Sequence, residues 1–185
     1  MAAIFGPRAN LVTNAVLLGL AGLVLFAAFL IWGVPRMEYN TQVSLSPVQP
    51  VPFSHQHHVS GLGIDCRYCH TAVEVSSNAA LPATETCMTC HSQIWTSAEM
   101  LAPVRQSFAE NKPLRWRRVT TLPDYVYFDH SIHVAKGVGC TDCHGPIGDM
   151  PLTRRSADMT MRWCRGCASA CASRPPSCPR HSRDT

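Results

Sequence analysis

The sequence predicts a mostly irregular fold with short α-helices, preceded by one N-terminal transmembrane helix. Three observations support this prediction. A long uncharged apolar segment lies near the start of the chain. The remainder of the 185 residues has few long apolar periodic runs, yet it holds ten cysteines and nine histidines. Many of these cysteines form C-x-x-C pairs. Such a segment cannot build a large core from side chains alone, so something else must fill its interior.

The transmembrane helix is predicted from length and composition. No charged residue occurs in residues 9–35, and the stretch from Ala15 to Trp32 is entirely apolar or glycine. About 20 apolar residues cross a bilayer as a helix, whereas the apolar part of a cleaved signal peptide has roughly 7–15. We therefore predict a cytoplasmic N-terminus over residues 1–8 and a transmembrane signal anchor over residues 9–34. A buried helix of a soluble domain is the alternative.

The remaining chain divides by composition into three segments. Residues 35–50 are rich in proline and show no helical pattern, so they are predicted to form an extended linker. The segment rich in cysteine and histidine is predicted as one domain over residues 51–167. Residues 168–185 are predicted to form an aberrant low-complexity tail.

An internal repeat lies within the predicted domain. Residues 51–70 and 126–145 both contain the pattern F-x-H-x-x-H-V, then a glycine-containing turn, then C-x-x-C-H. One helix is predicted between the two copies. Thr96 and Glu99 have the spacing of a capping box at its start, and Pro103 should kink or shorten it.

Three C-x-x-C pairs are each followed directly by histidine. In this motif two thiols add across the two vinyl groups of one haem, and the adjacent histidine is placed to ligate the iron. Three such motifs beyond an export segment predict covalently bound haem c at three complete sites. These sites are Cys66, Cys69 and His70; Cys87, Cys90 and His91; and Cys140, Cys143 and His144.

The F-x-H-x-x-H elements are predicted to supply second axial ligands, from His55, His58, His130 and His133. They recur at nearly the same offset from a haem motif, which is unusual for surface or core histidines. Iron with two histidine ligands has no open position, which favours electron transfer over oxygen chemistry. His57 lies outside the repeated pattern and is expected to be exposed.

The pairing of ligands is a hypothesis by analogy. The first histidine of each pair is expected to ligate the haem of the next motif, which joins His55 to His70 and His130 to His144. The second histidine of each pair would then reach a different haem.

A zinc site is the alternative for the repeated element. H-x-x-H followed by C-x-x-C offers four ligands, enough for a tetrahedral structural site. Zinc leaves the middle C-x-x-C-H motif unexplained, because that motif has no histidine pair of its own. It also gives no reason for a histidine directly after each of these three pairs.

A fourth pair, Cys164 and Cys167, is followed by Ala168 instead of histidine. From Cys164 onward no Val, Leu, Ile, Phe, Tyr or Trp occurs, so the segment can bury almost nothing. This change is typical of a gene read out of frame near codon 164. The alternatives are a true truncation with a disordered tail, or a degenerate fourth haem ligated by Met161. If the gene is read out of frame, Cys171, Cys178 and His181 have no role.

These residues carry a resemblance to a known family. The anchor, "VPFSHQHHV" with "CRYCH", the second C-x-x-C-H, "LPDYVYFDHSIHVAKGVGCTDCHG" and "MTMRWC" resemble the membrane-anchored pentahaem cytochrome c subunit of bacterial alternative complex III, a quinol:electron-acceptor oxidoreductase. The resemblance runs from about residue 4 to about residue 167. It implies a class III-like multihaem cytochrome c, with five haems ligated by two histidines or by histidine and methionine. The chain departs from this pattern at its end, where the fourth motif lacks histidine.

The resemblance implies an electron-transfer subunit without catalytic residues of its own. It would pass electrons from a quinol-oxidising membrane complex to a periplasmic cytochrome c or oxidase. Haem is attached outside the cytoplasm, so a single-pass inner-membrane protein with a cytoplasmic N-terminus is expected. The alternatives are a free-standing anchored cytochrome feeding periplasmic reductases, and a multihaem reductase enzyme. No nucleic-acid motif occurs. Arg115, Arg117 and Arg118 could meet haem propionates or an acidic partner, or form a solvated turn.

Overall fold

The computed structural model describes residue 6 and residues 8–173. It divides into two compact units, with the boundary between Gln42 and Val43. The first unit is dominated by helix α1 (Ala9–Ala28), which continues through a π-helical turn (Phe29–Gly33) and a 3-10 turn (Val34–Arg36).

Helix α1 has the properties of a membrane-spanning helix. The continuous helical segment Ala9–Arg36 has 28 residues, and its most apolar window has a mean hydropathy of 2.6. No residue of α1 is buried, which argues against the buried-helix alternative. By length and composition this helix can cross a membrane, and a signal sequence near an N-terminus has the same features. The guanidinium carbon of Arg36 lies 4.9 Å from the centroid of the Trp32 ring, which is a cation–π contact at the end of the helical segment.

The predicted linker is partly helical at its start. Helix α2 (Glu38–Thr41) is a single turn, closed by the Gln42 backbone N–H donating to the Glu38 carbonyl at 2.7 Å. Gln42 then takes a left-handed conformation with φ 58° and ends the helix. A four-residue helix is too short to show a periodic apolar pattern, so the sequence did not predict it. Residues 43–54 contain no helix.

The second unit consists of short helices joined by irregular segments, which agrees with the predicted fold. No strand is formed among the described residues; one isolated bridge joins Val43 to Arg155. The helical elements in chain order are a π-helix (Gln56–Gly61), α3 (Cys66–Cys69), α4 (Thr84–His91), a 3-10 turn (Glu99–Leu101), α5 (Ala102–Glu110), α6 (His130–Ala135), α7 (Cys140–His144), a 3-10 turn (Ile147–Asp149) and α8 (Met161–Ser173).

The side-chain core of the second unit is small. The buried hydrophobic side chains among the described residues are Val51, Val73, Leu101, Val104 and Met150. Three of them, Val51, Leu101 and Val104, pack together, with Trp116 at the edge of the cluster. A unit of this length normally buries many more apolar side chains. The sequence-based expectation of a small side-chain core is therefore confirmed.

The start of α5 differs from the prediction. Ala98 precedes the 3-10 turn Glu99–Leu101 and no side chain caps either helix, so the capping box of Thr96 and Glu99 is wrong. Pro103 lies in the first turn of α5, directly after the 3-10 turn, so the α-helix itself begins only at Ala102. The fixed φ of proline suits the start of a helix, and its missing N–H is not needed there.

Helix α5 positions the second C-x-x-C-H motif. The Ser107 hydroxyl of α5 and the Thr84 hydroxyl of α4 share a hydrogen bond of 2.7 Å, and both side chains are buried. Met88, in the middle of α4, packs against the Val51 cluster. The helix that carries Cys87 and Cys90 is thus held from two sides.

Candidate haem-binding sites

Each C-x-x-C-H motif lies on a short helix. Helix α3 contains the first cysteine pair and is followed by His70, whereas α4 and α7 include their whole motifs. Residues three apart on a helix lie on one face, so each helix holds its two thiols about one turn apart. No disulfide is formed by the eight described cysteine thiols, which are Cys66, Cys69, Cys87, Cys90, Cys140, Cys143, Cys164 and Cys167.

The two histidine pairs have nearly identical surroundings. In the first repeat, the Phe53 ring meets His55 edge to face at 4.9 Å and 88°, and stacks on His58 at 4.5 Å and 25°. In the second repeat, the Phe128 ring contacts its two histidines at 4.8 Å and 88° and at 4.5 Å and 26°. The sequence repeat is therefore also a structural repeat, and the phenylalanine fixes both rings.

The residue between phenylalanine and histidine caps the following helix. Asp129 accepts hydrogen bonds from the Ser131 backbone N–H at 2.8 Å and from its hydroxyl at 2.6 Å. In the first repeat, the Ser54 hydroxyl accepts from the His57 backbone N–H at 3.1 Å. The sequence reasoning missed both caps, although Ser and Asp before a helical pattern are the expected N-cap types.

Most of the predicted histidine ligands have their Nδ1 atom held by a hydrogen bond. The partners of Nδ1 are Thr153 Oγ1 for His55 (2.9 Å), Ser54 O for His58 (2.8 Å), Ala80 O for His70 (2.7 Å), Ile94 O for His91 (3.3 Å), Ser77 O for His130 (2.7 Å) and Asp129 O for His133 (2.7 Å). Five of these six partners are carbonyl oxygens, which only accept, so in those five histidines Nδ1 carries the proton and Nε2 keeps its lone pair. This is the usual arrangement of a metal-binding histidine.

Two pairs of imidazoles lie at about the ring-centroid separation that one shared metal would give. The ring centroids of His130 and His144 are 6.5 Å apart with an angle of 6°, and those of His58 and His91 are 6.3 Å apart with an angle of 66°. A metal–imidazole bond of about 2.0–2.1 Å on each side corresponds to roughly 6 Å between the ring centroids. The residues present therefore fit an iron with two histidine ligands.

His55 and His144 are neutral at neutral pH. Burial, and then the neighbouring His70, His58 and His144, lower the pKa of His55 to about 4. Burial, and then His130 and His70, also lower the pKa of His144. Neutral imidazole is the form that binds a metal. That His55 and His70 share one iron stays a prediction, although the two side chains are neighbours.

The cysteines of different motifs lie close together. The Cys66 and Cys140 thiols are neighbours, and their interaction raises the pKa of Cys66 and lowers that of Cys140. Burial and the neighbouring Cys69 raise the pKa of Cys87. The first motif is therefore adjacent to both the second and the third.

The fourth cysteine pair lies in helix α8. Cys164 and Cys167 are partly buried, and they are near Cys143, whose pKa is raised by burial first and by these thiols as well. Met161 is the first residue of α8 and is exposed. The helix continues to Ser173, so the first part of the predicted low-complexity tail is helical. The predictions for Cys178 and His181 lie outside the described residues, as does the side chain of Cys171.

Other candidates take structural positions. His57 is exposed, as expected, and stacks on Trp95 at 5.8 Å. The Arg117 backbone forms two hydrogen bonds with the Gln49 side chain, at 2.8 and 2.9 Å. In the part of the chain that the structure describes, no three His, Cys, Asp or Glu side chains converge on a metal position.

Short helices bearing C-x-x-C-H, facing imidazole pairs and a small side-chain core are the features of a multihaem cytochrome c. No protein-family model matches the chain. The chain is similar to the menaquinone reductase, multiheme cytochrome c subunit, of Nitratidesulfovibrio vulgaris, with 36% identity over 124 residues. The alignment covers 66% of this chain and 56% of that protein, so the chain spans little more than half the length of its relative. The similarity supports a multihaem cytochrome c that carries covalently bound haem c and transfers electrons.

Proposed function

We propose that this chain is a membrane-anchored electron-transfer subunit with haem c at its three complete C-x-x-C-H sites. The observation that carries the proposal is the close approach of two pairs of imidazoles, His58 with His91 and His130 with His144. Two histidines on one iron leave no position for a substrate, which favours electron transfer. The haem, when bound, supplies the one-electron redox chemistry, and the chain holds and tunes it.

The residues around each imidazole have a positioning role. The Ser77 and Ala80 carbonyls hold the Nδ1–H of His130 and His70 at 2.7 Å. Such hydrogen bonds fix the ring orientation and make Nε2 a stronger donor to the metal. An edge-to-face contact with Phe128 holds the His130 ring from a second direction, whereas Phe53 and Phe128 stack on His58 and His133. Iron ligands held this rigidly need little reorganisation when the charge of the iron changes.

The proposed partner is a quinone-reactive membrane complex. The relative is named as a subunit of a menaquinone reductase, and the sequence resembles a subunit of alternative complex III. In the favoured direction, electrons pass from a quinol-oxidising complex to a periplasmic cytochrome c or oxidase. The name of the relative supports the opposite direction as a second candidate, from a periplasmic donor towards menaquinone. Helix α1 would anchor the subunit in the inner membrane with its N-terminus in the cytoplasm.

The test is to produce the full chain in a host that matures c-type cytochromes and to purify it in mild detergent. Intact mass should give three haems, and ferric EPR should give only low-spin signals. A high-spin signal in the native chain would favour the reductase alternative. Co-purification of large membrane subunits supports the complex, and a lone subunit would favour the free-standing cytochrome. Absence of covalent haem would contradict the proposal.

A matched pair of variants tests the ligand assignment. His130→Ala removes one imidazole of a facing pair, so we expect an unchanged haem count and one new high-spin ferric haem. His57→Ala is the control, because His57 is exposed and stacks on Trp95 rather than facing a motif histidine. Low-spin spectra in both variants would rule out His130 as a ligand.

A further inference from the structure

We propose that residues 76–80 form one positioning loop for the ligands of two different haem sites, and that Asn78 holds this loop in shape. The loop carries the two backbone carbonyls that accept the Nδ1 protons of His70 and His130. His70 belongs to the first C-x-x-C-H motif, whereas the His130 ring lies beside that of His144 in the third. The inference rests on the proposed function and deepens it, since it names the residue that sets the reduction potentials of two haems together.

Two successive side-chain turns give the loop its shape. The Asn78 backbone N–H donates to the Ser76 hydroxyl oxygen at 3.2 Å, and the Ala80 backbone N–H donates to the Asn78 side-chain oxygen at 3.0 Å. Each bond joins residues two apart, and Ser and Asn form such turns because their short side chains reach the nearby backbone. The backbone carbonyls of the loop are therefore not needed to close these turns, and they accept from other segments.

Ala80 has a left-handed backbone conformation, with φ 62°. Residues other than glycine rarely adopt this conformation, since the Cβ atom then lies too close to a carbonyl oxygen. The Asn78 side chain holds the N–H of Ala80, and the Ala80 carbonyl accepts the Nδ1 proton of His70 at 2.7 Å. A strained residue persists only where its surroundings hold it, and here one neighbour is the proposed iron ligand.

The other end of the loop receives helix α6. The Ser77 carbonyl accepts the Nδ1 proton of His130 at 2.7 Å and its backbone N–H at 3.4 Å. The Ser76 carbonyl accepts the Ser131 backbone N–H at 3.3 Å. The first N–H groups of a helix have no partners within the helix. These bonds therefore fix the start of α6 and the ring of its first residue together.

The two imidazoles that the loop holds belong to neighbouring sites. The Cys66 thiol of the first motif lies beside the Cys140 thiol of the third, so one five-residue loop is enough to reach ligands of both. A carbonyl that accepts the Nδ1 proton makes Nε2 a stronger donor to the iron, which favours the ferric state. Displacement of the loop would weaken both hydrogen bonds, and both reduction potentials would rise.

The test compares two variants at position 78, where the side chain is exposed, by potentiometric titration of the full chain in detergent. Asn78→Ala removes the oxygen that holds Ala80, so we expect an unchanged count of three haems and raised potentials for two of them. Asn78→Asp is the matched control, because it keeps an acceptor oxygen and its negative charge does not favour reduction. Its potentials should lie at or below the native values. A loop that only stabilised the fold would change the melting temperature of Asn78→Ala and leave its potentials unchanged.

Two double variants identify the haems and the role of Ala80. In the His130→Ala background, Asn78→Ala should raise the potential of one low-spin haem instead of two, because one of the two ligands is already missing. Asn78→Ala combined with Ala80→Gly should return both potentials towards the native values, since glycine adopts the left-handed conformation without a side chain to hold it.

The proposal is overturned if Asn78→Ala has the native potentials or shifts only one haem. It is also overturned if Asn78→Asp raises the potentials as alanine does, or if glycine at position 80 brings no return. A native chain without haem, or a His130→Ala variant that is entirely low-spin, would instead contradict the proposed function.

Discussion

The nitrogen on which a histidine carries its proton decides how that histidine binds a metal. For His55 the partner of Nδ1 is not a carbonyl but the Thr153 hydroxyl, at 2.9 Å. A hydroxyl either donates or accepts, and it must accept if Nε2 is to bind iron. His55 differs in this from His58 and His130, whose Nδ1 protons are fixed by backbone carbonyls. Substitution of Thr153 therefore tests the role of His55 without removing its imidazole.

We predict that Thr153→Val raises the reduction potential of one haem and leaves the haem count unchanged. Valine has the shape of threonine but offers no acceptor, so Nδ1–H loses its partner and Nε2 becomes a weaker donor to ferric iron. Thr153→Ser is the control, since it keeps the hydroxyl. Potentiometric titration followed by absorbance measures the effect. Identical titration curves for the two variants would mean that Thr153 does not orient His55.

At the level of the helix, the local signals were partly readable from the sequence. The repeated pattern predicted that the His130 pair and the His55 pair have the same structure, and the ring contacts agree. The caps were missed at Ser54 and Asp129 and wrongly placed at Thr96. A capping box is a short pattern that occurs often by chance, whereas the repeat involves many positions at once.

The cap of α6 leads to a prediction on pH. The hydrogen bonds from Ser131 lower the pKa of Asp129 below its ordinary value. The stabilisation is therefore present above the ordinary pKa and is lost as pH falls through the lowered one. Asp129→Ala should lower the melting temperature by a few degrees at neutral pH, whereas Asp129→Asn, which still caps, should stay near the native value.

The native chain and the Asp129→Asn variant should respond differently to acidic pH. As the pH falls below the ordinary pKa of an aspartate and through the lowered pKa of Asp129, the melting temperature of the native chain should fall further than that of Asp129→Asn, because asparagine does not titrate. Thermal unfolding followed by far-UV circular dichroism checks both results. Parallel pH profiles would show that the Asp129 carboxylate does not contribute.

At the level of the whole molecule, composition predicted that the side chains alone do not form a large core. Few apolar periodic runs implied a small core, and five buried hydrophobic side chains are found among the described residues. The contacts between distant segments could not be predicted. Ser77 and Thr153 hold histidines 53 and 98 positions away in the chain, and neither is a residue type that marks such a role. Only the folded chain brings them to those rings.

The last prediction concerns the group that fills the interior. Replacing Cys66 and Cys69 together with alanine should lower the haem count by one, as measured by intact mass. It should also lower the melting temperature more than Val104→Ala does. Val104 is 3% exposed and belongs to the Val51 cluster, so its truncation should cost about 2 kcal/mol. A porphyrin contacts far more of the chain than two methyl groups do, and the Cys66 thiol lies beside Cys140 of the third motif. Loss of one haem should therefore loosen two motifs at once. The prediction fails if the double variant lacks one haem but its melting temperature equals or exceeds that of Val104→Ala. The chain would then keep its fold without that porphyrin.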